Sequence, residues 1–243
     1  MTGTFCRSWR VCVNPKQRAE KTFSFWRIVG IASGLFFCLS LALVLPWRWI
    51  SPPTTAFILQ EEFTRSTDVH YRWVPMQHIS PRLAIAVVAS EDQRFPFHYG
   101  FDFDAITLAI KERRSRLRGA STISQQVAKN LFLWNGHSYV RKGIEAYLTV
   151  LIEALWPKYR ILEIYLNVAE FGPGVYGAGP ASKLFFGKTA MNLTLDEATL
   201  LAAVLPNPKR MSAASPSRYV SKRAYEIQDA VRSLGGSHYL DRL

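Results

Sequence analysis

Residues 28–45 run for 18 positions without a charge and are rich in Leu, Val, Ile and Phe. As a helix at about 1.5 Å per residue this stretch is roughly 27 Å long, nearly the thickness of a bilayer's hydrocarbon core. Phe25 and Trp26 stand at one end and Trp47 and Trp49 at the other, where amphipathic rings favour the headgroup level. A cleaved signal peptide is the alternative. It would have a shorter apolar core and a small-x-small cleavage site, whereas this run ends in Leu45-Pro46-Trp47-Arg48, so a retained anchor is expected. Before the run, Arg7, Arg10, Lys16, Arg18, Lys21 and Arg27 face only Glu20, giving +5 of the chain's formal +12. That excess places the N-terminus in the cytoplasm and everything from about residue 50 outside.

The anchor divides the rest of the chain. Cys6, Cys12 and Cys38 fall in the tail or the span, so the exported part has no disulfide framework and needs an ordinary hydrophobic core. About 190 residues can supply one such core, and therefore one active site. The expected organisation is a basic tail at 1–27, an anchor at 28–47, a linker at 48–75 that contains Ser51-Pro52-Pro53, and a catalytic domain at 76–243.

Within that domain the signals are mostly helical. Ser80-Pro81 reads as a cap followed by proline at the first helical position, opening a helix that runs towards Glu91. Thr122 with Gln125, and Thr194 with Glu197, fit capping boxes. Ile144, Leu148, Leu151 and Leu155 share one helix face, while Lys142, Glu145, Thr149 and Glu153 share another. Ile161, Leu162, Tyr165 and Leu166 mark a further helix, and a last one opens at Ser215-Pro216 and ends near Gly235-Gly236. Strand-like alternation is scarce, so the expected class is mainly α.

Four segments carry candidate chemistry. Residues 91–102, Glu-Asp-Gln-Arg-Phe-Pro-Phe-His-Tyr-Gly-Phe-Asp, put acids, a histidine and aromatic rings at a helix end. A carboxylate beside rings is partly desolvated, which raises its pKa and makes it a better base; a solvated helix end is the plainer reading. Lys111-Glu112-Arg113-Arg114-Ser115-Arg116-Leu117-Arg118 follows Ile106, Leu108 and Ile110. Outside the membrane such a basic run suits lipid headgroups or a phosphate-bearing substrate better than nucleic acid, and a flap on the bilayer or a solvated loop are both open. Gly119-Ala120-Ser121-Thr122 leads into a helix N-terminus whose free amides can receive an anion, with Gln126 and Lys129 behind it. Arg141, Lys142 and Glu145 open the next helix, where a surface ion pair is the plainer reading. Gly172-Pro173-Gly174-Val175-Tyr176-Gly177 matches the glycine spacing of dinucleotide sites, but the segment before it has helical period. The glycines are instead expected to form a turn with close backbone approach.

In this order, residues 91–102, 119–133, 141–145, 161–167 with Phe171-Gly172, and 195–208 resemble the family 51 glycosyltransferases. The resemblance implies a lysozyme-like, mainly α glycosyltransferase domain with a small membrane-facing jaw, in the bacterial inner membrane with its catalytic domain periplasmic. It implies lipid II and the growing glycan strand as substrates, with the membrane and proteins of cell division or elongation as partners and no nucleic acid. The family's catalytic base falls on Glu91 and its second glutamate on Glu145. Its substrate-binding positions fall on Lys129, Arg141, Lys142, Ser121, Gln126 and Arg94. His137 stands where many relatives carry arginine, which puts one cationic contact in doubt. No cofactor is obligatory in this reading, and a divalent cation, Mg or Mn, is the one candidate. In the implied reaction Glu91 takes the proton of a sugar hydroxyl while Lys129 and Arg141 receive a departing diphosphate, a single inverting displacement that leaves a β-linked strand. A lysozyme-like hydrolase or lytic transglycosylase is the enzymatic alternative, and an anchored wall-binding scaffold the non-enzymatic one. A transpeptidase is not expected, since there is no Ser-x-x-Lys and Lys188-Thr189-Ala190 is not Lys-Thr-Gly.

Overall fold

The computed structural model describes residues 15–64, 68–104, 107, 121–136 and 138–243. They divide into two compact units, Met1–Leu43 and Val44–Leu243. The described residues of the first form a helix, α1 (Pro15–Val44), which begins thirteen residues before the uncharged run and opens on proline, whose fixed φ suits a first helical turn. By length and composition Trp26–Arg48 is able to cross a membrane. Ile31, Leu35, Phe36 and Leu39 are all exposed along it, the pattern of a helix that is apolar on every side. Cys6 and Cys12 and the basic residues up to Arg10 lie outside the described residues, as do Ile106, Leu108, Ile110, the run 111–118, Gly119 and His137.

The second unit is mainly α. Its helices are α2 (Ala56–Thr64), α3 (Pro81–Glu91), α4 (Ile123–Phe132), α5 (Tyr139–Leu155), α6 (Lys158–Val168), α7 (Ala178–Phe186), α8 (Leu195–Val204) and α9 (Arg218–Ser233). Among the described residues three short strands, β1 (His70–Tyr71), β2 (Glu170–Gly172) and β3 (Val175–Tyr176), form one sheet in the order β1-β3-β2. Strands β2 and β3 pair antiparallel around Pro173-Gly174, while β1 joins β3 in parallel. The glycine-spaced segment is therefore a hairpin. Gly177 has φ 86°, and a Cβ there would stand 2.5 Å from the Asn167 carbonyl oxygen, so the close approach expected of these glycines is real.

Two buried helices organise the core. From Leu83 to Ala89 every residue of α3 is buried, and from Arg160 to Val168 every residue of α6 is buried. Helix α3 packs on α8 and α9, and α4 lies against α5 and α6. Each fully buried Leu, Ile or Val in these helices contributes about 1.5–3 kcal/mol relative to exposure. The ends of α3 are set by its sequence: the Ser80 side chain accepts from the Arg82 amide, Pro81 takes the first position, and the helix stops at Glu91. Both expected capping boxes are present, Thr122 with Gln125 and Thr194 with Glu197. The last helix begins at Arg218 with Ser217 as its cap, slightly later than Ser215-Pro216 suggests.

Of residues 48–75, expected as a linker, the described ones, 48–64 and 68–75, are folded onto the domain. They contribute α2 and β1, and Ile58 and Glu61 of α2 are buried. Helix α6 holds this lead-in with polar side chains spaced three and four residues apart on one face. Arg160 donates from Nε to the Trp47 carbonyl at 3.0 Å and from Nη2 to the Ile50 carbonyl at 2.8 Å. Glu163 accepts from the Met76 amide at 2.8 Å, and Asn167 pairs with the Val74 amide and carbonyl at 2.7 and 2.9 Å. Backbone that would otherwise need water is thus satisfied by a helix whose partners lie far along the chain.

Candidate active site

Glu91 is the last residue of α3, and the next residue explains how its carboxylate meets α4. Asp92 is buried, and its Oδ2 accepts from the Ile123 amide at 3.0 Å, while its Oδ1 lies 2.8 Å from His98 Nε2. One carboxylate therefore caps the N-terminus of α4 and pins the turn after α3. The Thr122 hydroxyl adds a 2.7 Å bond to the Gly100 carbonyl. Gly100 has φ 84°, and a Cβ there would meet Thr149 Cγ2 of α5 at 2.7 Å.

These ties bring Gln126 opposite Glu91. Gln126 Nε2 donates to Glu91 Oε2 at 2.9 Å, and Tyr165 of α6 donates its hydroxyl to Gln126 Oε1 at 3.1 Å. Because the phenol occupies the amide oxygen, the amide NH₂ has to face the carboxylate. Tyr165 stays a donor: burial holds its hydroxyl well above the usual phenol range, and the charges of Glu91 and Asp92 add to that. The second oxygen, Glu91 Oε1, has Arg223 Nη2 of α9 at 3.9 Å. The Glu91 side chain is only 14% exposed. Burial raises its pKa, Asp92 adds to the rise, and Gln126, Arg223 and Lys129 oppose it without reversing it.

Two cavities meet at this point. One, of about 470 Å³, is lined by Ser90, Glu91, Ser121, Gln126, Pro206, Asn207, Met211, Tyr219 and Arg223. The other, of about 330 Å³, is lined by Phe57, Ser121, Gln125, Gln126, Lys129, Trp134, Asn135, Gly136, Arg141, Lys142 and Glu145. Ser121 and Gln126 belong to both, so one wall separates an acid compartment from a cationic one. A larger hollow of about 860 Å³ lies along β1 and α7 and contains none of these residues.

The cationic compartment is assembled by α4 and α5. Glu145 is buried, with Oε2 at 3.0 Å from Arg141 Nη1 and Oε1 bonded to Lys142 Nζ. Arg141 is itself mostly buried, at 11% side-chain exposure, while Lys142 is half exposed. The plainer reading of these three as a surface pair therefore fails for Arg141 and Glu145. Both faces of α5 are used: Leu148 and Leu151 are buried, and so are Glu145 and Thr149 on the polar face. Lys129 Nζ lies 5.2 Å from the centre of the Phe57 ring. Burial lowers its pKa, with Arg141 and Lys142 acting in the same direction and Glu145 and Glu91 against it. A compartment with this composition can receive a group bearing more than one negative charge.

Seven of the eight residues expected from the sequence line the two compartments: Glu91, Glu145, Lys129, Arg141, Lys142, Ser121 and Gln126. Arg94 lines neither. It is half exposed and pairs with Asp102 at 3.3 Å and with Asp104. Residues that the sequence did not flag include Arg223, Tyr219 and Asn207 in the acid compartment and Phe57 and Trp134 in the cationic one. Phe57 fell in the supposed linker, and Arg223 lies far from Glu91 in sequence. Among the described residues no three His, Cys, Asp or Glu side chains converge, and Glu145 has both oxygens on cations.

A family model described as Transglycosylase matches residues 59–232. Similar proteins include one from Stutzerimonas stutzeri, 51% identical over 212 residues, 84% of this chain and 88% of the relative. Another, from Shewanella oneidensis, is 48% identical over 223 residues, covering 90% and 95%. A third, from Xanthomonas campestris pv. campestris, is 49% identical over 234 residues, covering 93% and 94%. All three bear the name biosynthetic peptidoglycan transglycosylase.

Proposed function

The chain belongs to the transglycosylase family, and from that premise we propose that it lengthens peptidoglycan strands from lipid II, with Glu91 as the base that activates the acceptor hydroxyl. It is a peptidoglycan glycosyltransferase with a mainly α, lysozyme-like domain. The observation that carries the finer reading is the division of the cleft, a lone buried acid on one side of Gln126 and Lys129 with Arg141 on the other.

A sugar hydroxyl is a weak nucleophile, so its proton has to leave as the new bond forms. Glu91 Oε1 is the oxygen not engaged by Gln126, and it takes that proton; base catalysis of this kind contributes about 10²–10⁴ in rate. Its raised pKa strengthens it as a base, while Gln126, Arg223 and Lys129 favour the ionised form that takes the proton. The acceptor oxygen attacks the anomeric carbon of the growing strand and the bond to the prenyl diphosphate breaks, with the electron pair passing to the phosphate oxygen. That leaving group needs positive charge rather than a proton, and Lys129 and Arg141 supply it. Glu145 holds Arg141 and Lys142 in place. A single displacement inverts the anomeric centre and gives a β-1,4 linkage. The apolar helix Trp26–Arg48 supports a single-pass anchor, with the tail in the cytoplasm and the domain on the side of the inner membrane where lipid-linked substrate is presented.

One observation favours a second reading. Burial that raises the Glu91 pKa also suits a protonated acid, the group a lysozyme-like hydrolase or lytic transglycosylase uses to expel a sugar. Such an enzyme needs no cluster of cations beside the acid, and the second carboxylate, Glu145, has both oxygens committed. Labelled lipid II and finished peptidoglycan, each incubated with the purified full-length protein, separate the two. Elongated glycan from the first and no shortening of the second is expected, and Glu91→Gln abolishes elongation while retaining the native melting temperature. Full activity in that variant would overturn the base assignment.

A further inference from the structure

The two oxygens of Glu91 are held differently. Oε2 accepts a hydrogen bond from Gln126, whereas Oε1 has Arg223 Nη2 at 3.9 Å. That distance is beyond hydrogen-bond reach but close enough for strong Coulombic attraction where solvent is scarce. The lone pairs of Oε1 therefore stay open to an incoming hydroxyl while the charge beside them is compensated. Arg223 projects from α9 into the acid compartment, its side chain is 27% exposed, and its Nε is buried without a protein acceptor.

The groups that face Glu91 are few. Asp92 follows it at the end of α3, Gln126 and Lys129 come from α4, and Tyr165 reaches it through Gln126 from α6. Tyr219 and Arg223 come from α9, and Asn207 and Met211, which carry no charge, come from the segment after α8. Among the described residues the cations acting on Glu91 are Arg223 and Lys129. Lys129 lies across the wall, lining the cationic compartment. It is committed there to the leaving group.

From this geometry we infer that Arg223 is a positioning residue for the base: it keeps Glu91 ionised in its buried compartment and leaves Oε1 free for the acceptor hydroxyl. The inference rests on the base assignment above. It explains why a carboxylate can be buried deeply enough to be a strong base and still be unprotonated when the acceptor arrives. The C-terminal helix becomes part of the catalytic apparatus rather than only a support for α3 and α8.

The test is the pH dependence of kcat/KM for lipid II polymerisation by the full-length enzyme in detergent. With Arg223→Gln the acid limb moves to higher pH by about 1 unit, as expected for losing an opposite charge within about 4–6 Å. At a pH on that limb the loss is about tenfold, and activity climbs back towards wild type as pH rises. Arg223→Lys restores the limb most of the way. Should Arg223→Gln fail to fold, Arg223→Met keeps the packed stem and reads the same limb. A uniform loss at every pH with the limb unmoved, or no loss at all, overturns the inference and leaves the base assignment standing. Glu91→Gln, inactive across the whole range, tests that assignment separately.

Discussion

The two compartments of the cleft share Ser121 and Gln126 but solve opposite electrostatic problems. In one, burial pushes an acid towards its neutral form; in the other, burial pushes Lys129 towards its neutral form. The compensation differs as well. Glu91 has one neutral donor within bonding distance and one cation at 3.9 Å, while Lys129 has a ring beside it and Glu145 already engaged by two other cations. In the proposed mechanism the acid side takes up a proton, and the cationic side works only while Lys129 keeps its own. What separates them is the Gln126 amide, fixed by Tyr165 so that it donates towards the acid.

The largest effect that tests this division is on the cationic side. Lys129→Met should lower kcat/KM by about 10²–10³, the range for removing one preorganised group that stabilises developing charge. The wild-type profile should be bell-shaped. On the acid side the raised Glu91 pKa means that activity falls as pH drops through a value above the ordinary glutamate range. On the alkaline side the lowered Lys129 pKa means that activity falls as pH rises through a value below the ordinary lysine range. Lys129→Arg, whose charge persists at high pH, should extend the alkaline limb and leave the acid limb where it is. A change in both limbs would show that the compartments are not electrically separate.

The local parts of this arrangement were legible in the sequence, and the non-local ones were not. Capping boxes at Thr122 and Thr194 and the Ser80-Pro81 start depend on residues within one turn, so spacing alone reveals them. Seven of the eight expected site residues lie on α3, α4, α5 or immediately before α4, where the family resemblance is densest. That Arg94 pairs with Asp102 and Asp104 was not legible, because spacing does not show which acids will meet its guanidinium. Residues 48–75 read as a linker because the groups that fold them, Arg160, Glu163 and Asn167, are on α6. Arg223 sits in a strongly amphipathic helix whose polar positions look alike until α3 is packed beside it.

A smaller effect is expected where the compartments are joined. Asp92→Asn removes the charge from the carboxylate that holds both His98 and the Ile123 amide. A buried polar network with one member weakened loses about 1–3 kcal/mol, a fall of roughly 2–4 °C in melting temperature for each kcal/mol in a domain near this size. Because α3 and α4 then lose a shared fastening, kcat should fall severalfold, and because the Asp92 charge adds to the rise of the Glu91 pKa, the acid limb should move to lower pH with the alkaline limb in place.

The smallest effect is at Phe57, the aromatic residue that α2 brings under Lys129. Phe57→Leu keeps an apolar wall and removes the ring face, which is worth about 0.5–2 kcal/mol to a partly desolvated cation. The ring favours the charged form of Lys129, so without it the already lowered pKa falls further and the alkaline limb moves to lower pH. At neutral pH the loss of kcat/KM should be about two- to fivefold, with the acid limb unmoved. The sign is the useful part, because a leucine that merely loosened the site would lower activity equally across the range. A limb that shifts downward in Phe57→Leu therefore assigns α2 to the cationic compartment, and makes residues once expected to be a tether part of the site that receives the leaving group.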